Sequence, residues 1–134
     1  MAELDEATRR RVRLLSKPKR WRNEDEFRKH VTAFAECLGY RVNFTYRAKT
    51  RDGSWRTNAT APGFPDLCCS KRGRLVFLEL KMPYKVPTLA QEEWVARLQT
   101  VPGVDAFVVY PADWPDVVAL LLDDEPDDDD PFEL

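Results

Sequence analysis

Long apolar runs are what this 134-residue sequence most plainly lacks. Its longest, Val117 to Leu122, is far short of the roughly 18 residues that span a bilayer. No membrane partner is therefore expected. The first residues mix acids with arginines and hold no apolar run, so no secretory leader is expected either. Histidine is almost missing, with His30 alone, and cysteine is confined to Cys37, Cys68 and Cys69. A zinc site would need a second pair of ligands that these residues do not supply. Three is an odd number, and adjacent cysteines on a strand point to opposite faces. They read as reduced core residues of a cytoplasmic protein, not as a disulfide framework. Basic residues are absent from 98–134 altogether.

What is present fits one domain: 43% hydrophobic and 33% charged residues, enough for one core and a well-solvated surface. The net charge of −2 hides a split. Residues 1–97 hold all 21 Lys and Arg with 12 of the 23 Asp and Glu; residues 98–134 hold the other 11. That asymmetry points to a body facing nucleic acid and an acidic end, against the plainer reading of two solvated segments.

Three regions follow. Residues 1–22 form a basic N-terminal arm or an extra helix, with Pro18 as a breaker. Residues 23–122 carry the regular elements, and residues 123–134 are an acidic tail expected to be disordered. Asn23 caps a helix with Glu26 as its partner, and Phe27, Val31, Phe34, Ala35 and Leu38 form its apolar stripe up to Gly39. Residues 40–47 alternate as a strand, and Asp52-Gly53 marks a hairpin-like excursion within 48–62. A strand opens at Asp66 and runs to about Ser70. After a turn at 71–74, Leu75 to Lys81 is the strongest strand. Thr88 and Gln91 frame a capping box for a helix reaching Thr100, with Trp94, Val95, Leu98 and Val101 as its stripe. Val104 to Tyr110 reads as a strand buried on both faces, and 113–122 as a last helix capped by Asp113. The order α-β-β-β-α-β-α implies a mixed four-stranded sheet flanked by helices: an antiparallel meander, then a parallel crossover.

The chemistry gathers on this frame. Glu79 and Lys81 are two apart on a strand, so they share a face behind Leu75 and Phe77. Glu-x-Lys alone is a weak signal, since many solvated strands end in charges. If 71–74 closes a hairpin, however, Asp66 comes beside Glu79 and Lys81. Two close carboxylates repel unless a cation lies between them, and hard oxygen ligands suit Mg2+ or Mn2+. Asp66 could equally be no more than a residue after a turn-favouring Pro65. Glu24, three before Phe27 and seven before Val31, continues that helix's stripe. It also fits as a favourable first-turn charge. Gln91 shares the sheet-facing side of its helix yet is fully accounted for by the capping box.

Taken together, Glu24 with its helix, Gly63-Phe64-Pro65-Asp66-Leu67, Leu78-Glu79-Leu80-Lys81 and Gln91-Glu92-Glu93-Trp94 resemble the VRR-NUC branch of the PD-(D/E)xK nucleases over about residues 23–120. The basic arm, the long 48–62 segment and the acidic tail depart from that pattern. The resemblance implies a restriction-endonuclease-like core resembling Holliday-junction resolvases. It implies metal ligation by Asp66 and Glu79, a catalytic Lys81, and accessory roles for Glu24 and Gln91. It further implies cleavage of DNA phosphodiester bonds, often in branched DNA, sometimes by homodimers, in bacteria or phage-infected cells. The carbonyl of Leu80 is a further candidate ligand, and Glu24 a candidate for a ligating water or a second ion. Arg47, Lys49, Arg51 and Arg56 are candidates for phosphate contact. Trp55 would stack on an unpaired base or pack back on the sheet. The tail would compete with DNA or simply solubilise. The competing class is a catalytically silent nucleic-acid-binding or assembly module on the same fold.

Overall fold

The computed structural model runs, in chain order, through helices α1 (Glu6–Ser16) and α2 (Glu24–Cys37), strands β1 (Arg41–Phe44), β2 (Arg47–Lys49), β3 (Trp55–Thr57), β4 (Leu67–Lys71) and β5 (Arg74–Leu80), helix α3 (Leu89–Gln99), strand β6 (Val104–Val109) and helix α4 (Trp114–Leu122). It describes residues 4–45, 47–49, 51–53, 55–57 and 61–123, with backbone alone for 47–49 and 55–57. The acidic tail beyond Asp123 lies outside the described residues.

The main sheet has the order β1-β4-β5-β6. β1, β4 and β5 are antiparallel neighbours, and β6 runs parallel to β5 after the α3 crossover. This is the mixed α/β sheet expected from the element order. The β4–β5 hairpin pairs Lys71 with Arg74, leaving Arg72-Gly73 as its turn. Gly73, its second residue, takes a positive φ of 68°, a conformation glycine adopts at no steric cost. The excursion around Asp52-Gly53 is a separate hairpin, β2 against β3.

Alternation in β5 divides the molecule into layers. Val76, Leu78 and Leu80 join Leu67 and Cys69 in a large core roofed by α1, α2 and α4. Phe77 points the other way, into a smaller cluster with Val95 of α3 and Ala106 of β6. The apolar stripe of α2, Phe27, Val31, Phe34 and Ala35, is fully buried as its spacing predicts. Each of the Phe and Val side chains contributes roughly 1.5–3 kcal/mol. Of the two readings of the basic N-terminal segment, a helix is what forms. Val12 buries against the core, and the carbonyls that end α1 are taken up from outside. His30 donates to Leu15 O at 2.7 Å and Trp114 Nε1 to Ser16 O at 3.1 Å. Trp21, His30, Phe34 and Trp114 meet edge to face around that junction.

Four expectations are corrected. The strand expected over 40–47 ends at Phe44, and Arg47 already belongs to the second hairpin. β6 lies at the sheet edge with Phe107 exposed, so it is not buried on both faces. Val101 lies beyond the end of α3 and is exposed. Asp113 does not cap α4 with its side chain; its Oδ2 accepts from Tyr110 N at 2.8 Å, closing a short 3-10 turn at Pro111–Asp113.

Candidate active site

The hairpin register sets the site. Leu67 pairs with Leu78, so Asp66, one residue earlier, falls beside Glu79. The main chain of Asp66 is held on both sides. Its carbonyl accepts from Thr45 N at 3.0 Å, and its amide donates to Glu79 Oε2 at 3.1 Å. Its side chain in turn accepts from Leu80 N at 3.1 Å through Oδ2. The two carboxylates are thus cross-locked through each other's strand. Lys81 Nζ lies 3.8 Å from Glu79 Oε1. Lys81 N donates to Val109 O, which keeps the strand straight one residue past β5.

Most of this cluster is buried, with Asp66 half-buried. Among the described residues the buried polar or charged side chains are Glu79, Lys81 and Gln91, with Glu79 only 1% exposed. Burial of an ionised carboxylate is unfavourable without a partner of opposite charge. The effect on Glu79 is large: desolvation first, then the adjacent Asp66 carboxylate, push its pKa up to about 8, against the opposing pull of Lys81. A cation between the two carboxylates would reverse both causes.

Gln91 forms the capping box and is also turned inward. Its Oε1 accepts from Thr88 N at 2.9 Å and its backbone N–H donates to Thr88 Oγ1 at 3.2 Å, a complete capping box, and the side chain is buried as well. It also abuts the chain that carries Asp66. Gly63, at a φ of 89°, packs so tightly on the start of α3 that a Cβ there would lie 2.6 Å from the carbonyl carbon of Ala90 and 2.7 Å from Gln91 N. Trp94 Nε1 donates to Pro62 O at 3.1 Å, and Phe64 lies edge-on to both Trp94 and Phe77. The stretch 62–66 is therefore clamped on α3. The sequence signalled Gly63 only as part of a turn. The contact that requires glycine lies 27 positions away and has no local signature.

Glu24 is placed differently. It sits in the first turn of α2 and is exposed, so the buried stripe begins at Phe27. Glu26 is drawn to Arg22: it accepts from Arg22 N and Nε at 2.8 Å each, while Asn23 Oδ1 caps Glu26 N. Leu80, the candidate carbonyl ligand, is buried, and its amide is the group bound to Asp66. Of the DNA-contact candidates, Arg51 is exposed at the turn of the second hairpin. Arg47 and Lys49 lie on β2, and Trp55 and Arg56 on β3; their side chains are outside the described set.

No group of three or more His, Cys, Asp and Glu side chains able to hold a metal ion occurs among the described residues. Two carboxylates are what the site offers. That donor set suits Mg2+, which keeps several waters and takes one or two carboxylates together with substrate phosphates. No helix among the described residues is long and apolar enough to cross a membrane. No protein-family model matches the chain, and no curated protein matches it.

Proposed function

We propose that this chain is a divalent-metal-dependent endonuclease on a restriction-endonuclease-like core, cutting DNA phosphodiester bonds in branched or junction DNA. The observation that carries the reading is the cross-locked Asp66–Glu79 pair, Glu79 buried and Asp66 half-buried, with Lys81 beside it. Burying the Glu79 carboxylate against a second carboxylate at a strand end does not serve stability, since Asp66 raises the energy of its charged form. Asp66 and Glu79 would hold Mg2+ or Mn2+, with Leu80 O as a further candidate ligand and Glu24 as an accessory acid. When bound, the cation supplies Lewis acidity toward the phosphate and toward water. Lys81 contributes a fixed positive charge on the same face, orienting the attacking water or offsetting charge that develops on the phosphate. Phosphate contacts from Arg47, Lys49, Arg51 and Arg56, with Trp55 against an unpaired base, would hold the strand. A homodimer in the cytoplasm of a bacterium or phage-infected cell fits the reading.

The test is Mg2+-dependent cleavage of linear, flapped and junction DNA by the purified chain. Asp66→Ala and Lys81→Ala should each lower the rate by about a thousandfold or more, equivalent to roughly 4 kcal/mol of lost transition-state stabilisation, with circular dichroism unchanged. Robust Mg2+-dependent cleavage by either pure variant would exclude the assignment. A second reading, a catalytically silent nucleic-acid-binding or assembly module on the same fold, draws on the lack of a third acidic or histidine ligand among the described residues. It predicts DNA binding by the wild type without cleavage at any divalent-ion concentration.

A further inference from the structure

Lys81 and Gln91, two of the buried polar side chains, flank the connection between β5 and α3, Lys81 just after the strand and Gln91 in the first turn of the helix. That connection is pinned at short intervals. Met82 is buried, and Lys85 N donates to Met82 O at 2.9 Å, closing a turn with Pro83 at its second position. Tyr110 OH donates to Lys85 O at 3.1 Å, and Pro87 leads into the Thr88 cap. Yet Tyr84 is 77% exposed, Val86 78% and Leu89 84%, the three most exposed large apolar side chains among the described residues. The others range from 38% to 57% and are scattered over the molecule. A fixed backbone that turns three apolar side chains outward within six residues is presenting a surface, not failing to bury one.

The surface is narrow. Three exposed side chains within six residues fall well below the roughly 800 Å² per partner of a stable protein interface. An aromatic ring followed by a lysine does match one nucleotide, a flat base next to a phosphate. A continuous duplex keeps its bases stacked inside and offers the ring nothing but phosphate. An unpaired base leaves its face free. We propose that Tyr84 is a stacking platform for an unpaired base next to the phosphate that Asp66, Glu79 and Lys81 act on, with Lys85 on the neighbouring phosphate. The substrate class is then nucleic acid with unpaired nucleotides adjoining the scissile bond, and Tyr84 is its specificity-determining residue. This rests on the nuclease reading.

The experiment uses the full chain carrying Lys81→Ala, so that DNA survives, and measures its affinity for gapped and for continuous duplex DNA. A fluorescent purine analogue is placed at the unpaired position. Adding Tyr84→Ala should lower the ratio of gapped to continuous affinity by about tenfold, as loss of one base–aromatic stack does, and abolish quenching of the analogue. Tyr84→Trp should restore both. An unchanged ratio with quenching intact overturns the proposal, as does an equal loss on both DNAs. A ratio unmoved by Tyr84→Ala, together with self-association lost in Val86→Ser/Leu89→Ser, would assign these exposed side chains to protein docking and likewise overturn it. Wild-type cleavage is assayed separately. A wild type that fails to cleave while the ratio still falls removes the nuclease reading and leaves the stack standing.

Discussion

The two faces of the sheet are built on opposite principles. The face under α1, α2 and α4 buries large apolar side chains throughout: Trp21, Phe27, Phe34 and Trp114 around Val76, Leu78 and Leu80. The face under α3 has a core of Phe77, Val95 and Ala106, and shares its remaining buried volume with Glu79, Lys81 and Gln91. One strand, β5, serves both by alternation. The difference teaches how a small chain accommodates a charged site: cohesion comes mainly from one layer, so the other can carry buried charge.

Three measurements would break or sharpen that contrast. The largest effect is expected from Phe27→Ala, fully buried in the cohesive layer. It should lower unfolding free energy by roughly 3–5 kcal/mol in urea titrations. A loss no larger than that of Val95→Ala would mean the layers share the load equally. Next comes Gly63→Ala, which adds a Cβ against Ala90 and Gln91 at a positive φ. Overpacking of this kind costs about 1–3 kcal/mol. Because 62–66 carries Asp66, cleavage should fall further than stability alone accounts for. Activity and stability falling strictly together would show that the clamp does not position Asp66.

The third effect concerns pH. With its pKa pushed up from 4.5 to about 8, Glu79 keeps a proton in the folded chain that the unfolded chain releases. Without divalent ions, stability should therefore fall as pH rises from about 4.5 to about 8, and level off above. Glu79→Gln should lack this part of the slope and melt several degrees above the wild type in alkaline buffer. Mg2+ should raise the melting temperature of the wild type more than that of the variant. Identical pH profiles of wild type and variant by circular dichroism would remove Glu79 from this account.

Much of this arrangement was legible in the sequence because it rests on local periods. The two-residue repeat puts Glu79 and Lys81 on one face, and a two-residue turn brings Asp66 across the hairpin. Helical spacing finds Phe27 to Ala35, and the same spacing turns Gln91 inward. Glu24 shows where that logic stops. A first-turn residue can share the angular position of a stripe and still lie beyond the edge of the surface it packs on. β6 shows another limit. Val104 to Val109 is apolar enough for a central strand, and composition does not say that its outer neighbour is missing. Gly63 against Ala90, and Trp94 against Pro62, are contacts between segments far apart in the chain, set by tertiary packing alone.

One fastening has a practical side. Arg74 Nη1 donates to Tyr40 OH at 2.8 Å and to Asp123 O at 2.9 Å, while Tyr40 OH donates to Leu121 O at 3.0 Å. The last described turn of the chain is thereby moored at the Arg74 end of β5. Five residues of extended strand, about 17 Å, separate that mooring from Glu79. A fluorophore or affinity handle attached just after Asp123 would leave from the pole of the sheet remote from the carboxylates. It would report on tumbling and assembly of the whole particle from the end of β5 away from Glu79.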